Sequence, residues 1–496
     1  MSIALSSLSP QTAWQPLPVA DWNEATARHL LQRLGFSAPA AELTRALHDG
    51  PAATVQHCLG QMPVFAKPDL IAGLEKDRPE LERQMAPGGD EQARRLAQRD
   101  ARERSREALL DMTIKWLQLA SRPENSAAEK WLLFLSDVWV VSIEKVKNAA
   151  LVFQHQEILR KCALSTAPEL ARAMSRSPAM IVYLDLQQSK RAAPNENFAR
   201  ELFELFTLGE GNYTEDDIKQ AARAFTGYRQ KEGEFTFARM QHDAGAKTVF
   251  DHTGNYSGDD VIDLIFQKPA AGTFLPKELV RFYLSDTPLP AAYTDPLGAV
   301  WAQSGYDLRR LAQIFFCSRA FYTGDFRGNF IKSPVQFYLG LLQDLDLSVA
   351  PVPRRVIGAL RQMGQLPFDP PNVRGWIGGR AWINSATLAT RRQVIDALLH
   401  PINEAALNAD EVRELADSRK AGVNNFTLAD AQLKAWGQLA PAEAAAQLLA
   451  RSLPGTTDPA LRLRIEQFIA DGQAKPGPTL RTALGALLES PDYQLC

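Results

Sequence analysis

A mainly α-helical fold is what this sequence predicts. Three observations carry the prediction: apolar residues recur at helical spacing, Asn or Thr before and Gly after mark helix ends, and only one short segment alternates like a strand. The expected architecture is a large multi-helical body with a small β-hairpin insertion and a C-terminal helical bundle. It divides into an N-terminal helical region with a charged arm (1–125), a helical core (126–400) and the bundle (401–496).

Taken in order, three short helices open the chain, near Thr26 to Leu34, after Ser37 and after Pro51, each closed by a glycine. Lys67 to Ser121 is a charged, hairpin-like stretch broken at Pro87-Gly88-Gly89. Its second arm alternates charge sign from Asp90 to Arg106, then turns apolar at Met112 and Trp116. This reads as a solvated helical arm, with a binding arm as the alternative. From Ala127 to His400 aromatic and aliphatic residues become denser. Between Gly233 and Phe250, Phe235-Thr236-Phe237 alternates with polar residues and Lys247 to Phe250 can pair back as one small hairpin. Leu407 to Leu487 is rich in Ala and Leu, with turns at Asn424-Asn425, Gly455 and Pro476-Gly477-Pro478.

The chain's most distinctive run is Pro194 to Gly209. Pro194 keeps its predecessor out of the helical region, Asn195 can cap free N–H groups, and Gly209 supplies a left-handed stop, which predicts a helix from about Glu196 to Leu208. Phe198, Leu202, Leu205 and Phe206 fall on its packing face, whereas Asn197, Glu201 and Glu204 share another, beside Arg200. A second helix runs from the Thr214 cap through Arg223 to Gly227. Its alanines allow close approach, which would bring Arg223 to the carboxylates of its neighbour.

Glu201 and Glu204 can serve as an acid–base pair or as hard-oxygen ligands for calcium or magnesium. They can equally form an internal salt-bridge network with Arg200 and Arg223. His242-Asp243 is the best histidine candidate for proton transfer, against a turn-stabilising pair. Lys247 offers charge to an anionic substrate, although a lone lysine usually stands in solvent. The loop Phe368 to Trp376 combines consecutive prolines with Asn372, Arg374 and Trp376, which suits either a substrate rim or a rigid buried crossover.

These segments resemble the bacterial family of unknown function DUF1800. The resemblance rests on Asn195 to Leu202, Leu208-Gly209 and Ala222 to Gly227, flanked by Arg33-Leu34-Gly35-Phe36, Ser177-Pro178, His242-Asp243 with Gly245 and Lys247, Ile331-Lys332-Ser333-Pro334, Asn372 to Trp376, Trp382 to Ser385, and Ser490 to Gln494. It covers nearly the whole chain in order and implies a mostly helical protein. Relatives often carry histidines where this chain has Ser136-Asp137-Val138, Cys162 and Phe206, so imidazole-based metal chemistry is not expected, and no metal ligand set is assigned. Relatives are also frequently encoded beside a sulfatase- and phosphatase-like companion, which implies a protein partner. Many are exported.

The remaining features set limits. With 45% hydrophobic and 23% charged residues the chain can bury a sizeable core, and a formal net charge of −2 argues against a nucleic-acid or anionic-membrane binder. No apolar run is long enough for a membrane span. Cys58, Cys162, Cys317 and Cys496 show no CxxC spacing and are expected to be reduced. The first residues lack a signal-peptide pattern, so the expected location is cytoplasmic, with periplasmic co-export as the alternative. GxxxxGK[ST], GxGxxG, HExxH and GxSxG are all missing, so no nucleotide cofactor is expected. The functional expectation is an enzyme of unassigned reaction, hydrolytic or modifying, with a carboxylate/His/Arg pocket. The alternative is a non-catalytic binding or assembly factor acting with the companion protein.

Overall fold

The first of the expected opening helices forms where its cap places it. In the computed structural model, which describes residues 4–85, 91–454 and 458–496, Asn23 and Thr26 make a reciprocal capping box at the start of the Glu24–Leu34 helix. The helices expected after Ser37 and Pro51 are joined end to end as Ala40–Cys58. Gly50, with φ of 79°, makes the kink between them. The charged stretch forms two packed helices, Asp69–Met85 and Glu91–Ala120, tied by the Arg104–Asp77 pair at 2.6 Å. The expected breaks at Pro87-Gly88-Gly89 and Gly455 lie outside the described residues.

The protein is mainly α-helical, with 24 α-helices and two small antiparallel two-stranded sheets among the described residues. One hairpin was expected between Gly233 and Phe250, and two are present. Tyr228–Lys231 pairs with Glu234–Phe237, and Lys247–Val249 pairs with His252–Gly254. Each has a two-residue turn with both residues at positive φ: Glu232 and Gly233 at 53° and 81°, Phe250 and Asp251 at 48° and 65°. Such turns match the twist of the flanking strands. The second lacks the glycine that would have marked it in the sequence.

Most buried apolar residues form one core that reaches from Leu5 to Tyr493 and includes the C-terminal helices, and Ala27, Leu31, Ala38, Leu43 and Ala46 form a small second cluster. Two segments singled out in the sequence, Arg33 to Phe36 and Ile331 to Pro334, are tied into the main core. Arg33 is buried and donates to the carbonyls of Tyr283 and Leu284 at 3.0 and 3.3 Å, while the Lys130 ammonium donates to those of Arg33 and Gly35 at 2.7 and 2.8 Å. These lysine bonds satisfy carbonyls left free at the end of the Glu24–Leu34 helix. At the other end, the Lys332 N–H donates to the Gln494 carbonyl at 2.8 Å and its ammonium lies 3.7 Å from the centre of the Tyr493 ring. The Tyr493 hydroxyl in turn donates to Asp344 at 2.7 Å. All four cysteines are free. No helix among the described residues is long and apolar enough to cross a membrane.

His155 is fully buried, with Nε2–H donating to the Trp139 carbonyl at 2.9 Å and Nδ1 accepting from the Ser177 hydroxyl at 3.0 Å. Burial pulls its pKa down to about 4. The unfolded chain therefore takes up this proton from about pH 6.5 downward, whereas the folded protein resists until about pH 4. Stability should fall as pH drops through that window, by up to about 3 kcal/mol from this residue. His29, also buried and lowered, acts in the same direction. Urea unfolding at pH 7 and pH 4.5 should show a smaller acid loss for His155→Gln than for the wild type. Equal losses would refute the assignment.

Candidate functional site

Asn195 caps the signature segment as expected, its side chain accepting from the Asn197 N–H at 3.0 Å. The α-helix, however, ends at Glu201. Leu202–Thr207 continues as a π-helix, reinforced by the Thr207 hydroxyl donating to the Leu202 carbonyl five residues back. Gly209 then stops the segment at φ of 78°. Leu202, Phe203, Phe206 and Thr207 are buried; Phe203 meets the Tyr213 and Phe250 rings, and Phe206 lies against Trp139. Glu201 and Glu204 thus stand on either side of the start of a wider turn, a geometry frequent at functional sites.

Around these carboxylates the polar groups are unequal. Glu204 accepts from Arg374 Nη2 at 2.7 Å through one oxygen and from the Tyr213 hydroxyl at 3.1 Å through the other. Arg374 also reaches Glu210 at 2.9 Å. Glu201 is half-buried and accepts no hydrogen bond from the described residues. Burial pushes its carboxyl up, the charge of Glu204 adds to this, and Arg374 and Arg200 oppose it. Burial also pushes Tyr213 up to about 12, with Glu204 contributing. Arg200 turns outward and grips Glu215 through two bonds of 2.7 Å. Asn197 spends its amide on the Leu184 carbonyl at 3.2 Å.

Arg223 goes elsewhere. Rather than meeting Glu201 and Glu204, it pairs with Asp243 through Nε at 2.7 Å and Nη2 at 3.3 Å. The pairing pulls Asp243 down to about 2. Asp243 also accepts from the Gly245 N–H at 2.9 Å, and its own N–H donates to the Thr226 hydroxyl at 2.8 Å. His242 Nδ1–H donates to the Thr226 carbonyl at 3.0 Å. Lys247 is buried instead of solvated and donates to the Gly245 carbonyl at 2.9 Å. The Arg-Ala-Phe-Thr-Gly and His-Asp-x-Gly-x-Lys segments therefore latch each other. No hydrogen bond or ion pair among the described residues joins this latch to Glu201 or Glu204.

The loop after Phe368 is exposed at Arg374 and buried at Trp376. Asn372 Oδ1 accepts from the Arg374 N–H at 2.8 Å, forming a tight turn that presents the guanidinium to Glu204 and Glu210. Two residues on, Trp376 is only 3% exposed, so it belongs to the core and not to a rim. Its N–H donates to Asp137 at 2.8 Å, and Arg281 reaches the other oxygen of Asp137 at 2.6 Å. Gly375 has φ of 80°, and a Cβ there would lie 2.2 Å from that carboxylate. Asp137, Tyr213 and Glu210 were missed as contributors. Only Tyr213 carried a local signal, standing just before a helix cap.

Calcium or magnesium at Glu201 or Glu204 would compete with Arg374, whose guanidinium already supplies positive charge there. Among the described residues, no three His, Cys, Asp or Glu side chains converge as a metal site. No curated protein and no solved structure matches the chain. Residues 29–495 match the model of the family described as protein of unknown function (DUF1800), so motifs spread from the first helices to the last residues serve one shared architecture, and the chain belongs to that family.

Proposed function

We propose that this protein is an acid–base enzyme acting on a polar substrate at the Glu201–Glu204–Arg374 cluster, in a hydrolytic or group-modifying reaction. The observation that carries the reading is the asymmetry of the two carboxylates. Glu201 is half-buried, unbonded and shifted toward its protonated form, while Glu204 is ion-paired and hydrogen-bonded. Two carboxyl groups in environments that separate them are the arrangement a proton donor and a charge-bearing partner require. Glu201 is the donor to a leaving group or carbonyl. Glu204 takes the basic or charge-stabilising role, with Tyr213 and Arg374 orienting it. Stability is a weak reason for the Arg374–Glu204 pair, because an arginine side chain 61% exposed contributes less than about 1 kcal/mol through such a contact. In this reading the Arg223–Asp243–His242–Lys247 latch holds the second helix and makes no contact with substrate.

A second reading, a binding or assembly factor for a sulfatase- or phosphatase-like companion, draws on the openness of the same cluster: Arg374 and Glu210 are 61% and 70% exposed. The two readings separate in one experiment. Purified protein is incubated with a metabolite extract and a panel of esters, amides and glycosides, with turnover followed by mass spectrometry. Glu201→Gln should abolish any conversion seen with the wild type while leaving the melting temperature level or raised, since it removes an unpaired half-buried carboxyl. A variant that converts substrate at the wild-type rate would sink the enzyme reading. No turnover together with co-purification of a companion, lost on Arg374→Glu, would support the second.

A further inference from the structure

A cationic recess lies outside the cluster just described. A cleft of about 540 Å³ opens between the Glu91–Ala120 helix, the short Ile143–Val146 helix and the loop after Phe368. Arg102, Arg106, Lys147 and Arg361 line it. None of the four side chains makes a hydrogen bond or ion pair among the described residues, in contrast to those of Arg200, Arg223, Arg281 and Arg374. Arg102 and Arg106 are one turn apart on a single helix, so their guanidinium groups project over the same face. Lys147 follows the short helix in a left-handed conformation, φ 57°, which ends the helix at the cleft. Two carboxylates, Glu144 and Asp369, also face the cleft, leaving two positive charges in excess.

Apart from Ser105, the rest of the lining is apolar. Leu109, Leu110 and Ile143 form part of the wall, and an adjoining recess of about 380 Å³ shares Arg102, Ser105 and Lys147 while adding Leu74, Leu81 and Leu151. Guanidinium groups without a protein partner are available to hold an oxyanion through charge-assisted, bidentate bonds. An excess of two charges matches a phosphate monoester dianion. The neighbouring aliphatic walls suit an apolar or aromatic group carried on that ester.

We propose that this cleft binds a small organic phosphate monoester, its phosphate held by Arg102 and Arg106 with Arg361 and Lys147, and its apolar body seated against Leu109 and Ile143 and toward the adjoining recess. The site goes beyond the Glu201 reading and stands whether or not that cluster is catalytic. The loop after Phe368 contributes to both, giving Asp369 to the cleft and Arg374 to Glu204.

Calorimetric titration of the full chain with phenyl phosphate, inorganic phosphate and benzyl alcohol tests it. Phenyl phosphate is expected to bind at least tenfold more tightly than inorganic phosphate, benzyl alcohol not at all, and affinity should weaken as salt rises. The double variant Arg102→Gln/Arg106→Gln should lose at least tenfold in phenyl phosphate affinity with an unchanged melting curve, since neither side chain holds the fold together. Arg94→Gln, a charge change on the same helix outside the cleft, should bind like the wild type. Undetectable binding of both phosphates, or equal binding by the double variant and the wild type, would overturn the site. Equal affinity for the two phosphates would overturn the assignment to an organic ester.

Discussion

Replacing Glu129 by leucine should destabilise the protein by about 3–5 kcal/mol, the cost of breaking a buried ion pair by removing one partner. The Glu129 side chain is fully buried and Arg160 only 13% exposed. Arg160 grips it through two bonds of 2.5 and 3.0 Å, and the Trp116 indole N–H donates to the same carboxylate at 2.8 Å. Leucine fills similar space but leaves the guanidinium with one remaining acceptor, the Pro63 carbonyl at 2.8 Å, and orphans the indole N–H. Removing both charges behaves differently. The double variant Glu129→Leu/Arg160→Met should recover most of the loss, because the penalty lies in the uncompensated charge more than in the missing attraction. Urea unfolding measures both. A single-variant cost under about 1 kcal/mol would mean that water reaches the pair.

Gly375→Ala should cost on the order of 3 kcal/mol and also disturb the candidate site. A left-handed backbone is unfavourable for alanine by about 1–2 kcal/mol, and the new methyl would lie 2.2 Å from the Asp137 carboxylate and 2.7 Å from its carbonyl. Relieving that overlap means moving the loop away from Asp137, which weakens the bond from the Trp376 N–H and shifts Arg374 from Glu204. The expected signature is a lower melting temperature together with weakened activity or partner binding, and Arg374→Gln should reproduce only the functional part. If Gly375→Ala melts like the wild type, the loop is not held by Asp137.

Much of the candidate site was legible because its local pieces follow local rules. Asn195 and Thr214 cap the helices that they precede, and Gly209 and Gly227 both take positive φ where stops were expected. The placement of Glu201 and Glu204 as near neighbours followed from spacing alone. The π turn between them did not, since a shift of the backbone pattern by one residue leaves the apolar spacing of Leu202 and Phe206 unchanged. The second hairpin stayed hidden for a similar reason. Its Phe250-Asp251 turn carries no glycine, and strand pairing depends on what packs beneath it.

Read alone, the sequence determined the helical class, the caps at Asn195 and Thr214, the family and the absence of nucleotide-binding and common hydrolase motifs, because capping and periodicity are decided within a few residues of chain. The tertiary structure alone decided which charge meets which. Arg223, expected to meet the carboxylates of its neighbouring helix, closes on Asp243, whereas Glu204 finds its guanidinium 170 residues away at Arg374. Asp137, which carries no local signal of this role in the sequence, anchors the loop that presents that arginine. Ion pairing acts through space and has no sequence period. A surface arginine can satisfy any nearby carboxylate at similar cost, so only the packing of the helices and loops selects the partner.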